Sequence, residues 1–237
     1  MHPVRLFLAC ALPIALCACA PRFEAEISVD MVLEVRRSGE SALAAATLLI
    51  PRANMEDCAE TISLLTEGLR VFTPVGEDPV CVDLEGEVSA EFKLEVPVVA
   101  DGSVPPNHLV YFTVDLVQSD PESGTRIGFG MTHPVQAVFA EMNANAGVEG
   151  GEGDGGASEE VGTPIITFKL ANDSASALQL TPLSVYLDGA PALPGSGWPQ
   201  QFNAGASVDL RLSDVVSDHI ALGNSAPFAI LSPAPPQ

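Results

Sequence analysis

The chain has 237 residues, with 10 Lys or Arg against 31 Asp or Glu, a formal net charge of −21 at pH 7. So acidic a chain is repelled by phosphate backbones and anionic headgroups, which argues against nucleic acid and against electrostatic docking on anionic lipid. The charge fits solubility, a basic partner or an acidic host proteome. Gly and Pro number 20 each and aromatics make up 5 %. With few helical repeats, this predicts short strands joined by turns, a mainly β chain.

Met1 to Arg5 holds one cation and no acid, and Leu6 to Ala18 carries no charge. That is the n-region and h-region of a signal peptide, too short to span a bilayer, which takes about 20 apolar residues. The run ends Leu16-Cys17-Ala18-Cys19. This resembles the lipobox of bacterial lipoproteins, an aliphatic residue and two smaller ones before a cysteine. Leu16 fills the aliphatic place, Ala18 the small place at the cut and Cys19 the acceptor place, while Cys17 departs mildly from the pattern. Cys17 as acceptor would set bulky Leu16 at the cut, and Cys10 would leave too short an h-region. The resemblance implies cleavage after residue 18, fatty acyl chains such as palmitate on Cys19, and anchorage in a membrane through them, since two or more chains anchor stably. By resemblance to enterobacterial lipoprotein sorting, Ala20 after the cysteine, rather than Asp, implies the periplasmic side of the outer membrane over the inner membrane. The plainer alternatives are an ordinary secreted protein or an uncleaved membrane tail.

Of five cysteines, Cys10 and Cys17 leave with such a leader and Cys19 carries lipid. Cys58 and Cys81 remain in an oxidising compartment, so they are expected to form one disulfide. The closed loop of about 23 residues is worth roughly 3 kcal/mol in the chain-entropy model.

In chain order, residues 19–144 read as an N-terminal α+β domain. Phe23 to Val35 alternates, with Ile27, Val29, Met31, Leu33 and Val35 on one face, and predicts one long strand ended by a turn at Arg36-Arg37-Ser38-Gly39. Ala42 to Ile50 predicts a second strand. Asn54 is a good cap for a helix whose apolar stripe is Met55, Cys58, Ile62, Leu65 and Leu69. Cys81 opens the next extended run, so the disulfide pins this helix to a strand. Val88 to Val96, His108 to Gln118 and Arg126 to Met131 follow as strands, the last two as a hairpin. Pro134 to Asn143 predicts a short closing helix.

Residues 145–163 are Gly-rich and acidic, with Val148 as the one core former from Gly147 to Glu160. This predicts a self-repelling linker. Gly150-Gly151-Glu152-Gly153 is similar to the start of a calcium-binding nonapeptide repeat, but the aspartate is misplaced and no second copy follows. Residues 164–237 then read as a small immunoglobulin-like β-sandwich. Its strands are Ile165 to Ala171, Ala177 to Leu180, Leu183 to Leu187, Ser207 to Leu212 and Phe228 to Leu231, with a Ser213-capped helical turn before the last. The sequence Asn172-Asp173, Asp188-Gly189, Ala204-Gly205-Ala206-Ser207 and Leu212-Ser213-Asp214-Val215 resembles the distal half of uncharacterised lipoproteins of bacteria and their phages. That resemblance implies no activity.

No nucleophile elbow, phosphate-binding loop, dinucleotide glycine pattern or zinc-protease motif is present. Ser217-Asp218-His219 lists triad letters, but sequence neighbours point different ways and make no relay. Asp115 and Asp120 are a candidate carboxylate pair on the hairpin, with surface aspartates the plainer reading. His108, His133 and His219 stand singly, so no metal and no cofactor is expected. Trp198, the only tryptophan, is a weak candidate recognition anchor on a Gly/Pro loop, with a lid over the core as the plainer reading. The expected function is a non-catalytic, lipid-anchored module that binds another envelope or virion protein. The alternatives are a phage- or prophage-encoded lipoprotein that alters the host envelope, for instance by superinfection exclusion, and an envelope hydrolase of unfamiliar pattern around His108 or His133.

Overall fold

The computed structural model describes residues 20–72, 77–100, 108–117, 124–134, 163–192 and 199–234. The chain enters as strand β1 (Arg22–Ser28), with Phe23, Ala25 and Ile27 buried and Glu24 and Glu26 exposed between them. The long strand expected to reach Val35 stops there. Val29–Ser38 is instead helix α1, burying Val29, Val32 and Val35 at helical spacing. Ser28 caps it through its side chain, which accepts from the Met31 N–H at 3.2 Å. Asp30 lies in the first turn and Arg36 and Arg37 in the last, as the helix dipole favours. Gly39 ends it at φ 72°, its N–H donating to the Val35 carbonyl.

After α1 come β2 (Ala42–Arg52), α2 (Met55–Phe72), β3 (Val80–Leu84), β4 (Glu87–Ala100), β5 (Val110–Leu116) and β6 (Thr125–Met131). The rest of the described chain gives β7 (Ile165–Ala171), β8 (Leu178–Pro182), β9 (Val185–Leu187), β10 (Ala190–Pro191), β11 (Gln200–Phe202) and β12 (Ser207–Leu212). It closes with helix α3 (Asp214–Ala221) and β13 (Ser225–Pro233).

Asn54 caps α2, its Oδ1 accepting from the N–H groups of Glu56 and Asp57. Cys58, Leu65 and Leu69 face inward as expected. Met55 lies about 60° round from Cys58 on the helical wheel and is exposed, while Thr61 is buried in the stripe. The Thr61 hydroxyl accepts from Arg52 Nε at 2.5 Å and donates to the Asp57 carbonyl at 2.8 Å. Cys58 and Cys81 form the expected disulfide, with Cα atoms 6.0 Å apart, and tie α2 to β3.

The strands form one 13-stranded sheet in the order β10-β9-β12-β7-β1-β2-β4-β5-β6-β13-β8-β11, with β3 paired to β4. The two stretches expected as separate domains, 19–144 and 164–237, share this sheet. β1 pairs with β7 in parallel over its full length, Arg22 opposite Ile165 through Ser28 opposite Ala171. β6 pairs with β13 on the other side. Strands of the later segment therefore flank both sides of the earlier ones, and the expected division gives way to one interleaved unit. The stretch expected as linker lies outside the described residues except for Thr163, and so does the expected closing helix beyond Pro134.

The sheet curls so that distant strands meet face to face, compatible with a β-sandwich. The rings of Phe23 on β1 and Phe129 on β6 are 5.1 Å apart, and those of Phe168 on β7 and Phe228 on β13 are 4.5 Å apart. Phe112 on β5 lies 5.1 Å from Phe168. Such ring pairs add about 0.5–1.5 kcal/mol each beyond area burial. The β6 segment Gly128-Phe129-Gly130 explains one close approach. A Cβ on Gly130 would lie 2.6 Å from the Ser225 Cβ and 2.9 Å from the Tyr111 hydroxyl, so the buried Tyr111 ring lies close over a position that only glycine leaves open.

Helix α3 packs on β7, β6 and β13 with Ile220 and Ser217 buried, and so plugs the end of the curled sheet at which β1 begins.

Candidate functional site

On the outer face of β12, β7, β1, β2 and β4 lies an open groove of about 650 Å³. Its origin is visible in the strand register. One row runs Arg211, Thr167, Glu24, Thr47, Lys93 across the five strands. The next runs Asp209, Lys169 and Glu26, with Ala45 and Glu95 paired beyond. Ala45 is short where its neighbours on β1 and β4 are long, so the middle of the second row is a depression walled by charged side chains.

The groove is acidic, with Glu24, Glu26, Glu77, Glu95 and Asp209 along it. Against them stand Lys93 and Lys169, which are the only two lysines in the sequence. Lys93 Nζ lies 2.9 Å from Glu91 and 3.3 Å from the Thr47 hydroxyl, and Lys169 Nζ lies 3.8 Å from Glu26. These pairs are partly exposed, so they hold the lysines in place while adding little stability. An acid-walled trough over an alanine floor suits a basic, extended partner. Sequence reading missed it, because each charge sat on a solvent face and only the register brings the rows together. The signal available was the placement of both lysines at outward positions of strands.

At the opposite end of β1 the chain is tied rather than opened. Asn172 is fully buried. Its amide donates to the Phe202 carbonyl at 2.8 Å and to the Ser176 carbonyl at 3.2 Å, and its Oδ1 accepts from the Ser174 hydroxyl at 2.6 Å. Asp173 accepts from the Ser28 hydroxyl and, at 2.9 Å, from the Asp30 N–H at the start of α1. Burial works to raise the Asp173 carboxyl, but hydrogen bonds from Ser28 and from the N–H groups of Asp30 and Asp173 outweigh it and hold the group below its ordinary value. The Asn-Asp turn is thus a structural knot between the two halves of the chain.

The remaining candidates fall as follows. Ser217 points into the core while Asp218 and His219 are exposed, and Asp218 accepts from the Thr163 hydroxyl at 2.5 Å, so the three form no relay. Asp115 stands opposite Arg126 on β6, and Asp120 lies outside the described residues. His108 and His133 both meet Thr132, whose hydroxyl donates to the His108 carbonyl at 2.7 Å and lies 2.9 Å from His133 Nδ1. Burial lowers the pKa of His108. Leu16, Ala18, Cys19 and Trp198 lie outside the described residues. Among the described residues, no helix is long and apolar enough to cross a membrane.

A domain of unknown function (DUF7424) matches residues 157–234, well under half of the chain. The match takes in β7 to β13 and α3, so its strands occupy both flanks of the sheet, with β1, β2, β4, β5 and β6 between them. No curated protein and no solved structure is detectably similar to the chain.

Proposed function

We propose that the protein is exported and lipid-anchored in the cell envelope, and that it acts without catalysis by binding another envelope or virion protein. The observation that carries this reading is the stretch Leu16-Cys17-Ala18-Cys19 after an uncharged run, placed three residues before β1. A leader ends and the fold begins within one turn of chain, as expected where cleavage exposes Cys19 as the first residue of the mature protein. The groove supports the binding role. It is open, it spans five strands, and its acidic walls favour a partner that brings Lys or Arg. Its two lysines are held by Glu91, Thr47 and Glu26 along the strands rather than aimed at one reacting point.

The test is metabolic labelling with an alkyne analogue of palmitate, in cells that express the chain or its Cys19→Ser variant. Label on the parent alone supports the anchor. Label on neither, or equally on both, contradicts it.

A further inference from the structure

The end of the sandwich at which β1 begins carries the two most exposed large apolar side chains among the described residues. Val215 of α3 is 79 % exposed and Leu222, just past that helix, is 62 % exposed. They are seven residues apart, so two helical turns set them on one stripe, with the exposed Asp218 and His219 between. The stripe lies beside the start of β1. The Pro21 carbonyl accepts from the Ile165 N–H at 2.8 Å, and two residues before Ile165 the Thr163 hydroxyl donates to Asp218. Leu84, 43 % exposed, joins this end. It stands opposite Glu87, whose carboxylate binds Arg22 at 2.6 Å.

We propose that this end is a bilayer-facing surface, with Val215 and Leu222 seated in the headgroup layer of the membrane that holds the lipid on Cys19. The inference rests on the anchor reading above and adds an orientation and a contact to it. Its basis is chain length. Pro21 is already hydrogen-bonded into the sheet, so Cys19 lies at most about 7 Å of extended chain from it. The headgroup layer is itself roughly 5–7 Å deep on each side of the hydrocarbon. An acylated Cys19 therefore leaves no tether on which the fold could stand away from the surface, and it presents the α3 end to the bilayer. The apolar stripe then has an occupant in reach, which water-facing Val and Leu otherwise lack. The charges nearby are acidic, and Asp214 is paired with Arg211 at 3.1 Å. The contact is thus apolar, favouring neutral over anionic lipid.

Cys58 and Cys81 are joined to each other and Cys19 carries the lipid in this reading, so one added cysteine is the only free thiol of the mature lipoprotein. Val215→Cys and Leu222→Cys, with Leu43→Cys and Leu116→Cys at the opposite end of the sheet as controls, are labelled with an environment-sensitive fluorophore. Each is placed in phosphatidylcholine vesicles with and without nitroxide-bearing phosphatidylcholine, and intact mass is recorded for each sample. All four native residues are more than 50 % exposed, so the fold tolerates the changes. The expected result is a blue shift and at least twofold quenching at 215 and 222 and neither at 43 and 116. Lipid mass on Cys19 with no quenching at 215 and 222, or with equal quenching at both ends, overturns the surface while the anchor stands. A label at 215 or 222 already shielded from aqueous iodide without vesicles means that another segment of the chain covers the stripe, and this also overturns it. A mature chain without lipid mass removes the anchor reading, and the surface with it.

Discussion

Replacing Asn172 by Ala should destabilise the fold far more than a turn residue normally does. The side chain is fully buried and its amide is the donor to the Phe202 carbonyl at 2.8 Å. Without it that carbonyl loses a buried partner, at a cost of about 1–3 kcal/mol. Ser176 is exposed, so its carbonyl rehydrates at little cost. The space left by the carboxamide adds about 1 kcal/mol. The sum is about 2–4 kcal/mol, a large share of the roughly 5–15 kcal/mol that holds a domain folded. Urea unfolding of residues 20–237 with the disulfide intact reads the effect. At a slope of about 2 kcal/mol per molar, the midpoint should fall by about 1–2 M. Asn203→Ala, at an exposed position in the same region, should stay within about 0.5 kcal/mol. Equal, small losses for both variants would refute the view that the Asn172 amide ties the β11 end to β7.

Reduction of the Cys58–Cys81 bond, or the double change to Ser, should lower stability by roughly 3 kcal/mol for a separation of 23 residues; urea curves with and without reductant measure it. Gly130→Ala forces a Cβ to 2.6 Å from Ser225 and should cost about 1–3 kcal/mol by overpacking, read as a drop in melting temperature. Asp173, exposed at the surface, has its carboxyl held below the ordinary 3.8 by hydrogen bonds from Ser28 and the Asp30 N–H, which outweigh its partial desolvation. Its contribution is whole above that range and is lost as pH falls through the lowered value, so Asp173→Asn should flatten the acid limb of a stability–pH profile. Burial lowers His108 from 6.5. The unfolded chain then takes up the proton first, stability falls as pH drops below about 6.5, and His108→Gln should remove that part of the slope. Finally, residues 20–144 and 163–237 expressed as two chains should co-purify, because β1–β7 and β6–β13 pair across them. Independent, separately folded products would contradict the interleaved sheet.

Much of the local structure was legible in the sequence. The Asn54 cap, the α2 stripe, the Cys58–Cys81 pair, the β5–β6 hairpin and the Ser213-headed helix all follow from signals within a few residues. The segment 29–38 shows how a local signal is misread. Val29, Met31, Leu33 and Val35 fit period two, but Val29, Val32 and Val35 fit a helix equally well. The caps Ser28 and Gly39 and the ends Asp30 and Arg36-Arg37 were the deciding marks, and they favoured the helix. What was not legible was pairing at long range. A parallel partner for β1 some 140 residues away leaves no trace in hydrophobic alternation, so the Gly-rich stretch read as a border between domains. The groove was hidden for the same reason. Glu24, Thr47, Lys93, Thr167 and Arg211 become one row only when the order of five strands is known. The end surface needed both exposure and topology, since Val215 and Leu222 are ordinary apolar letters until α3 is seen beside Pro21.

The measurement that bears most directly on this account is the intact mass of the protein from a membrane fraction, beside the Cys19→Ser variant. A lipid-anchored protein gives a mature chain beginning at Cys19 with the mass of its acyl chains added, and loses both cleavage and lipid in the variant. An unmodified product in the soluble fraction, or a chain cut elsewhere and free of lipid, would contradict this account.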